Sequence, residues 1–299
     1  TAPGAWPGMT VGWLGYGALS ITGGGKLILN SASTAGGGIL FGGNSLTSKG
    51  GTFDVRISGA GSTLALNGID GGLVIGRNDE SSGTTTVDDG ATVNADIIVI
   101  ARNAGSRGTL NVSGAGTTVN LVGDAGGTLG AGFNVGIGGL GTMNLTGGAV
   151  VSIDGAASPH PSGFIVGGAR TIAAGGTGTL DVSGAGSRIS VVGADIGMAI
   201  GRDNTGGAFP SSGTMTVSSG AQVLFDTNGR SSIGMSPGST GAVTVTGGGS
   251  LVDAGAFLGI GRDRDGNRGG TGALTVSQGG TGRATQINCG AGGTINGDG

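Results

Sequence analysis

Side chains able to do chemistry are few in this chain, and they are spread along its whole length. The single histidine, His160, sits between prolines in Ser158-Pro-His-Pro-Ser162, which reads as an extended loop tip. With no second histidine it has no partner for a metal site, and no serine has a base to activate it. The acids are sixteen Asp and one Glu, Glu80. Hydrolysis of a glycosidic bond takes two carboxylates within about 10 Å of one another. Counting by repeats puts Asp54 and Asp181 at the same outward position but four coils apart, about 19 Å at one strand spacing per coil. Asp88 and Asp89 precede Gly90 and read as a solvated turn. Asp263-Arg-Asp-Gly-Asn267 alternates oxygen donors around a glycine, making Asp263, Asp265 and Asn267 the calcium candidate, but the distal Glu of an EF-hand loop is missing. Cys289 stands alone, so it excludes an intrachain disulfide and leaves only a link between molecules. The expectation is a protein with no catalytic residues and no bound cofactor.

One charged motif does recur. Arg77-Asn78, Arg102-Asn103, Arg202-Asp203 and Arg262-Asp263 each follow a Gly or Ala at the end of an apolar run. Stacked on one another, such pairs make a polar corner, with the Asx side chain satisfying turn amides and the arginine reaching the next rung. A carbohydrate-binding arginine stripe is the alternative use of the same residues.

Those residues need a scaffold, and composition narrows its type. Glycine supplies 76 of 299 residues, without the three-residue period and abundant proline of collagen. Hydrophobic residues make up 36%, too many for a disordered linker, while the longest apolar run, Ile97 to Ala101, is far too short to cross a membrane as a helix. Strong helix formers such as Glu and Lys are nearly missing, so long helices are not expected. A net charge of −3 provides no basic surface for nucleic acid. The scarcity of Lys and Cys suits an extracellular protein. Thr1 opens without a charged-then-apolar leader, so the chain reads as a mature form or as one segment of a longer protein.

The scaffold itself is written as a repeat. Gly-small-apolar-x-apolar units start at Gly17, Gly51, Gly83, Gly108, Gly141, Gly178, Gly213, Gly241 and Gly272, about 32 residues apart. Each unit carries three runs of alternating polarity, such as 109–113, 118–122 and 133–137, separated by glycine-rich turns. A period of two means strand, and three strands with three corners close one coil. The predicted fold is an all-β, right-handed parallel β-helix of about nine coils, a rod of roughly 43 Å. It comprises an N-terminal cap or extension over 1–16, a single repeat domain over 17–283 and an end segment over 284–299. Parity puts Leu19, Phe53, Val55, Leu110, Val112, Leu180 and Val182 inward, with Ser20, Asp54, Thr86, Asn111, Asn144 and Asp181 outward. The Ser-Gly-Ala-Gly runs at 113–116 and 183–186 read as corners. Local Thr-x-Thr pairs at 84/86, 214/216 and 244/246 raise an ice- or crystal-binding face, which Asp and Asn in other coils interrupt.

The run Gly-Thr-Leu-x-Val-Ser-Gly-Ala-Gly-Ser/Thr, with Ile-Gly-Arg-Asp/Asn further on, resembles the repeat of type V secretion passenger proteins and PEP-CTERM-associated secreted proteins. Met9-Thr-Val-Gly-Trp-Leu-Gly-Tyr-Gly-Ala-Leu-Ser-Ile-Thr matches it well, and the resemblance spans about Met9 to Gly282. It implies a bacterial surface or secreted right-handed β-helix without enzymatic activity.

The functional expectation is an extracellular structural β-helix: a cell-surface stalk, adhesin shaft or self-assembling filament subunit in adhesion or a biofilm matrix. Head-to-tail self-association is the expected partnership, with a surface glycan or a host or matrix receptor as further partners. The alternative is a glycan-binding or polysaccharide-degrading β-helix whose insertions at 155–163 and 203–212 wall a groove. Trp6, Trp13 and Tyr16, with Pro3 and Pro7, are expected to cap or extend the first coil.

Overall fold

The computed structural model describes the chain except for residues 1–7, 32–37, 44–48, 69–70, 124–131, 157–162, 169–174, 194–196, 203–208, 263–268 and 299. The described residues form 29 strands and no helix. All strands pair in parallel within three sheets of ten, ten and nine strands. Sheet I runs from Met9–Val11 to Gln286–Cys289, sheet II from Tyr16–Thr22 to Gly293–Gly297, and sheet III from Lys26–Ser31 to Thr281–Arg283. The chain visits I, II and III in turn, so each circuit is one coil of a parallel β-helix.

Alternation along each strand turns one side chain into the lumen and the next out. In sheet II the inward row reads Leu110, Met143, Leu180 and Met215 over consecutive coils, beside Val112, Leu145, Val182 and Val217. All eight are buried in a single core running through the coils. Phe133 stacks on Phe164 at 5.9 Å between ring centres, and Phe164 meets Phe225 edge-on at 5.3 Å, tying sheet I to sheet III. Among the described residues, two polar ones stand in the inward rows: Ser231, paired with Leu258, accepts from the Met198 amide and donates to Ala254 O, whereas Thr85, paired with Val55 and Leu110, has a buried hydroxyl with no hydrogen-bond partner.

The register corrects one reading of the repeat. Gly17 pairs with Phe53, not Gly51, so Phe53 occupies the glycine row of its coil. Asp54 therefore lies beside Ala18 and Thr84, while Asp181 lies in the row of Asn144 and Thr216. The two aspartates do not share an outward position. A slip of two residues leaves parity untouched because the side-chain period is two, which is why the inward set survives it. Gln286–Cys289 and Gly293–Gly297 continue the pairing of sheets I and II beyond residue 284.

The corner between sheets II and III alternates along the rod. Odd coils turn through two residues, both with positive φ, as in Asp89-Gly90 and Ser219-Gly220; even coils use three, of which the first and last have positive φ, as in Gly114-Ala-Gly116 and Gly184-Ala-Gly186. Each three-residue corner ends in a buried Ser or Thr whose hydroxyl accepts the glycine N–H of the preceding coil's short corner. Thr117 Oγ1 accepts from Gly90 at 2.9 Å, and Ser187 Oγ accepts from Gly148 at 3.0 Å. Ser62 and Ser250 serve Gly24 and Gly220 likewise, at 3.0 and 2.9 Å. Across the other junction a backbone bond suffices, Gly114 N–H donating to Thr146 O and Gly184 N–H to Ser218 O. Coils are thereby joined in twos.

Candidate functional site: the corner between sheets I and II

The arginine motif sits where sheet I hands the chain to sheet II. After Ile75 and Ile100 the backbone turns through a residue of positive φ, Gly76 at +75° and Ala101 at +55°. Arg77 and Arg102 follow, one coil apart: the Ala101 amide donates to Ile75 O at 2.8 Å, and that of Arg102 to Gly76 O at 2.9 Å. Excursions of different length leave from this point, and the chain returns to a pinch that is glycine in most coils, with Ala101 and Phe53 as the exceptions. A Cβ on Gly136 would stand 2.0 Å from Thr177 O, and one on Gly178 would stand 2.4 Å from the Gly167 amide nitrogen.

In both arginine coils the excursion closes in the same way. Ser81 donates its amide and its hydroxyl to Asn78 O, at 3.1 and 2.6 Å, and Ser106 does the same to Asn103 O at 3.2 and 2.6 Å. The turn is closed at the main-chain carbonyl of the Asx residue, where the sequence suggested its side chain. The Asn78 side chain instead lies over the bare Cα of Gly43 in the coil before.

Sequence reasoning missed the layer beside this corner. The outward row of sheet I would be solvent-facing by parity, yet Val99 is 7% exposed, Ile165 3%, Ala199 1% and Ser232 0%. Ile137 packs with Val99, Val74 and Ile97, and Met235 packs with Ile165 and Ala199, so residues in the row of the arginines roof the outside of the sheet. A strand covered on both faces reads as an unbroken apolar run, and Ile97-Ile-Val-Ile100 is one.

The row of the arginines runs Arg77, Arg102, Ile137, Gly168, Arg202, Met235 and Arg262 from coil to coil. Only Arg77 and Arg102 are neighbours; Met235 separates Arg202 from Arg262. All four arginines are half-buried. Burial lowers the Arg77 pKa, and the charge of Arg102 lowers it further; burial also lowers that of Arg102. Glu80, in the same corner, is held by Lys49 at 2.6 Å in an exposed ion pair.

Other candidates fall elsewhere. Asp88 and Asp89 form the short corner of their coil, where Arg56 reaches Asp88 at 2.8 Å. His160, the Asp263, Asp265 and Asn267 loop, Asp203 and Trp6 lie outside the described residues. Thr244 and Thr246 are displaced two residues along the strand from Thr84/Thr86 and Thr214/Thr216, so the three pairs form no single array. A row the sequence did not suggest is continuous, however. Thr84, Thr109, Thr142, Thr179 and Thr214 follow one another over five coils, and a shallow groove of about 360 Å³ runs along part of that row beside Arg107 and Leu140.

No family model and no curated protein matches this chain. A solved structure described as a TibC-catalysed, hyper-glycosylated TibA fragment is 16% identical over 98% of this chain and 96% of that one, with a TM-score of 0.18; so loose a superposition carries no argument.

Proposed function

We propose that this chain is an extracellular structural β-helix, the shaft of a bacterial surface stalk or adhesin, with no catalytic role. The observation that carries the reading is mechanical. A single buried core runs through the coils with every strand of the three sheets paired in parallel, the arrangement of an extended rod. No helix among the described residues is long and apolar enough to cross a membrane. Electron microscopy of the purified chain should show rods of uniform width. Compact particles overturn the reading, as does release of products in a screen of polysaccharides.

The same shaft extends by self-association in this proposal. In the coil that includes Gln286–Cys289 and Gly293–Gly297, the inward residues Ile287 and Ile295 remain 41% and 51% exposed. A second copy adding its first coil head to tail would cover them and continue the parallel ladders of sheets I and II. Sedimentation should find polymer that Ile295→Asp converts to monomer; a chain monomeric at high concentration removes this part of the reading.

A second reading, recognition of a glycan on the flank of the rod, is favoured by the adjacent half-buried Arg77 and Arg102. Retention on immobilised polysaccharide tests it.

A further inference from the structure

Several cations of this chain have partners. Lys49 pairs with Glu80, Arg56 with Asp88 and Arg283 with Asp253, while Arg230 lies 5.5 Å from the centre of the Phe257 ring. Arg102 is different. It is half-buried, no carboxylate among the described residues pairs with it, and its nearest charged neighbour in the row is another arginine. The next residue of its row, Ile137, packs on Val74, Ile97 and Val99, so the strip alongside is apolar. A guanidinium partly withdrawn from water next to a like charge is an arrangement that an anion stabilises and water alone does not. Arg77 and Arg102 leave the backbone one strand spacing apart, about 4.8 Å, close enough for two oxygens of one oxyanion to engage both guanidinium groups.

We infer that Arg77 and Arg102 form an oxyanion-binding step on the outer side of sheet I, suited to the carboxylate or sulfate groups of an acidic polysaccharide. The choice of polymer rests on the glycan reading above; the oxyanion site does not. Neighbouring coils limit the step to one place. Gly43 precedes it and Ile137 follows it, so the double charge is not repeated at Arg202 or Arg262, which stand singly in the same row. A linear polymer would therefore be held at one anchoring charge, with the rest of its length free to lie along the rod.

The test compares wild type with Arg102→Gln and with Arg262→Gln, the latter a half-buried arginine of the same row that lacks an arginine neighbour. Inorganic sulfate, titrated against chloride at constant ionic strength, should raise the melting temperature of the wild type saturably. Arg102→Gln should weaken the apparent sulfate affinity at least tenfold, and Arg262→Gln should leave it unchanged. Equal sulfate responses in wild type and Arg102→Gln, or a response that never saturates, overturn the site. Should Arg102→Gln fail to fold, Arg102→Lys keeps the charge without the fork and should still lose most of the affinity; full retention overturns the site. Calorimetry with polygalacturonate and a sulfated dextran then identifies the source of the oxyanion, with dextran as the neutral control. Polymer binding that survives Arg102→Gln places glycan recognition elsewhere and overturns the assignment of the step to an acidic polysaccharide. Sulfate binding lost in Arg102→Gln, with neither polymer bound, supports the step and removes the glycan reading.

Discussion

Two corners of the same coil turn the chain by opposite means. Between sheets II and III the turn takes two or three residues, and hydroxyls and main-chain groups of adjacent coils close it. Between sheets I and II the chain spends 136–139 in one coil and 203–211 in another, and nothing in the frame changes, because departure and return meet at a pinch that is glycine in most coils. The first corner ties coil to coil and so is held to two alternating lengths. The second is insulated from the frame by the pinch, and it is there that charged, partly buried and non-repeating residues collect. A solenoid can thus keep mechanical and chemical duties on different edges of one rod.

The comparison can be broken at several strengths, starting with the core that both corners serve. Val182→Asp puts an unpaired charge into the lumen and should cost about 5 kcal/mol, enough to lose the cooperative denaturant transition, while the outward Asp181→Asn should shift it by less than about 0.5 kcal/mol. Equal effects would contradict the inward row. At the pinch, Gly136→Ala meets both a positive φ of +69° and the Thr177 carbonyl, and should destabilise by about 3 kcal/mol. Ala101→Gly, at the equivalent residue of the coil before, should stabilise by about 1 kcal/mol by relieving its φ of +55°. At the tied corner, Thr117→Ala strands the Gly90 amide and should cost about 2 kcal/mol, with Thr117→Ser close to wild type. Insulation itself is checked by length. Three residues inserted between Ala104 and Gly105 should shift the chemical denaturation midpoint by less than about 1 kcal/mol, whereas the same insertion between Ala115 and Gly116 should cost clearly more. Removing 159–161 should be the mildest change, and loss of folding on that deletion would mean the segment belongs to the frame.

Much of the frame was legible because parallel stacking writes one short grammar over and over. Period-two runs and nine near-copies of one glycine-led unit specify strand, coil and core row. Coil two was misread by two residues because Gly51-Thr-Phe imitates the start of a unit, and nothing local reveals that Phe53 takes a glycine's place. The arginine motif was legible as a motif, but not the one step where it matters. That Arg102 lies between Arg77 and Ile137 depends on which coils are neighbours, and the variable corner lengths hide that from inspection of spacing alone. The roof over sheet I had a signal in the unbroken apolar run 97–100, read only as too short to span a membrane. Thr85 had none, since a threonine is welcome in any strand.

The alternating corner carries an arithmetic of its own. Because each long turn lends a hydroxyl to the short turn before it, the heritable brick of this rod is two coils, about 9.6 Å of length. Recombination that copies or drops an even number of coils restores every junction. An odd number brings two short turns together, with a glycine amide left facing no hydroxyl, or two long turns with one hydroxyl unclaimed. Rods of this type should therefore differ in length by whole doublets, much as a zip fastener can be shortened only by whole teeth.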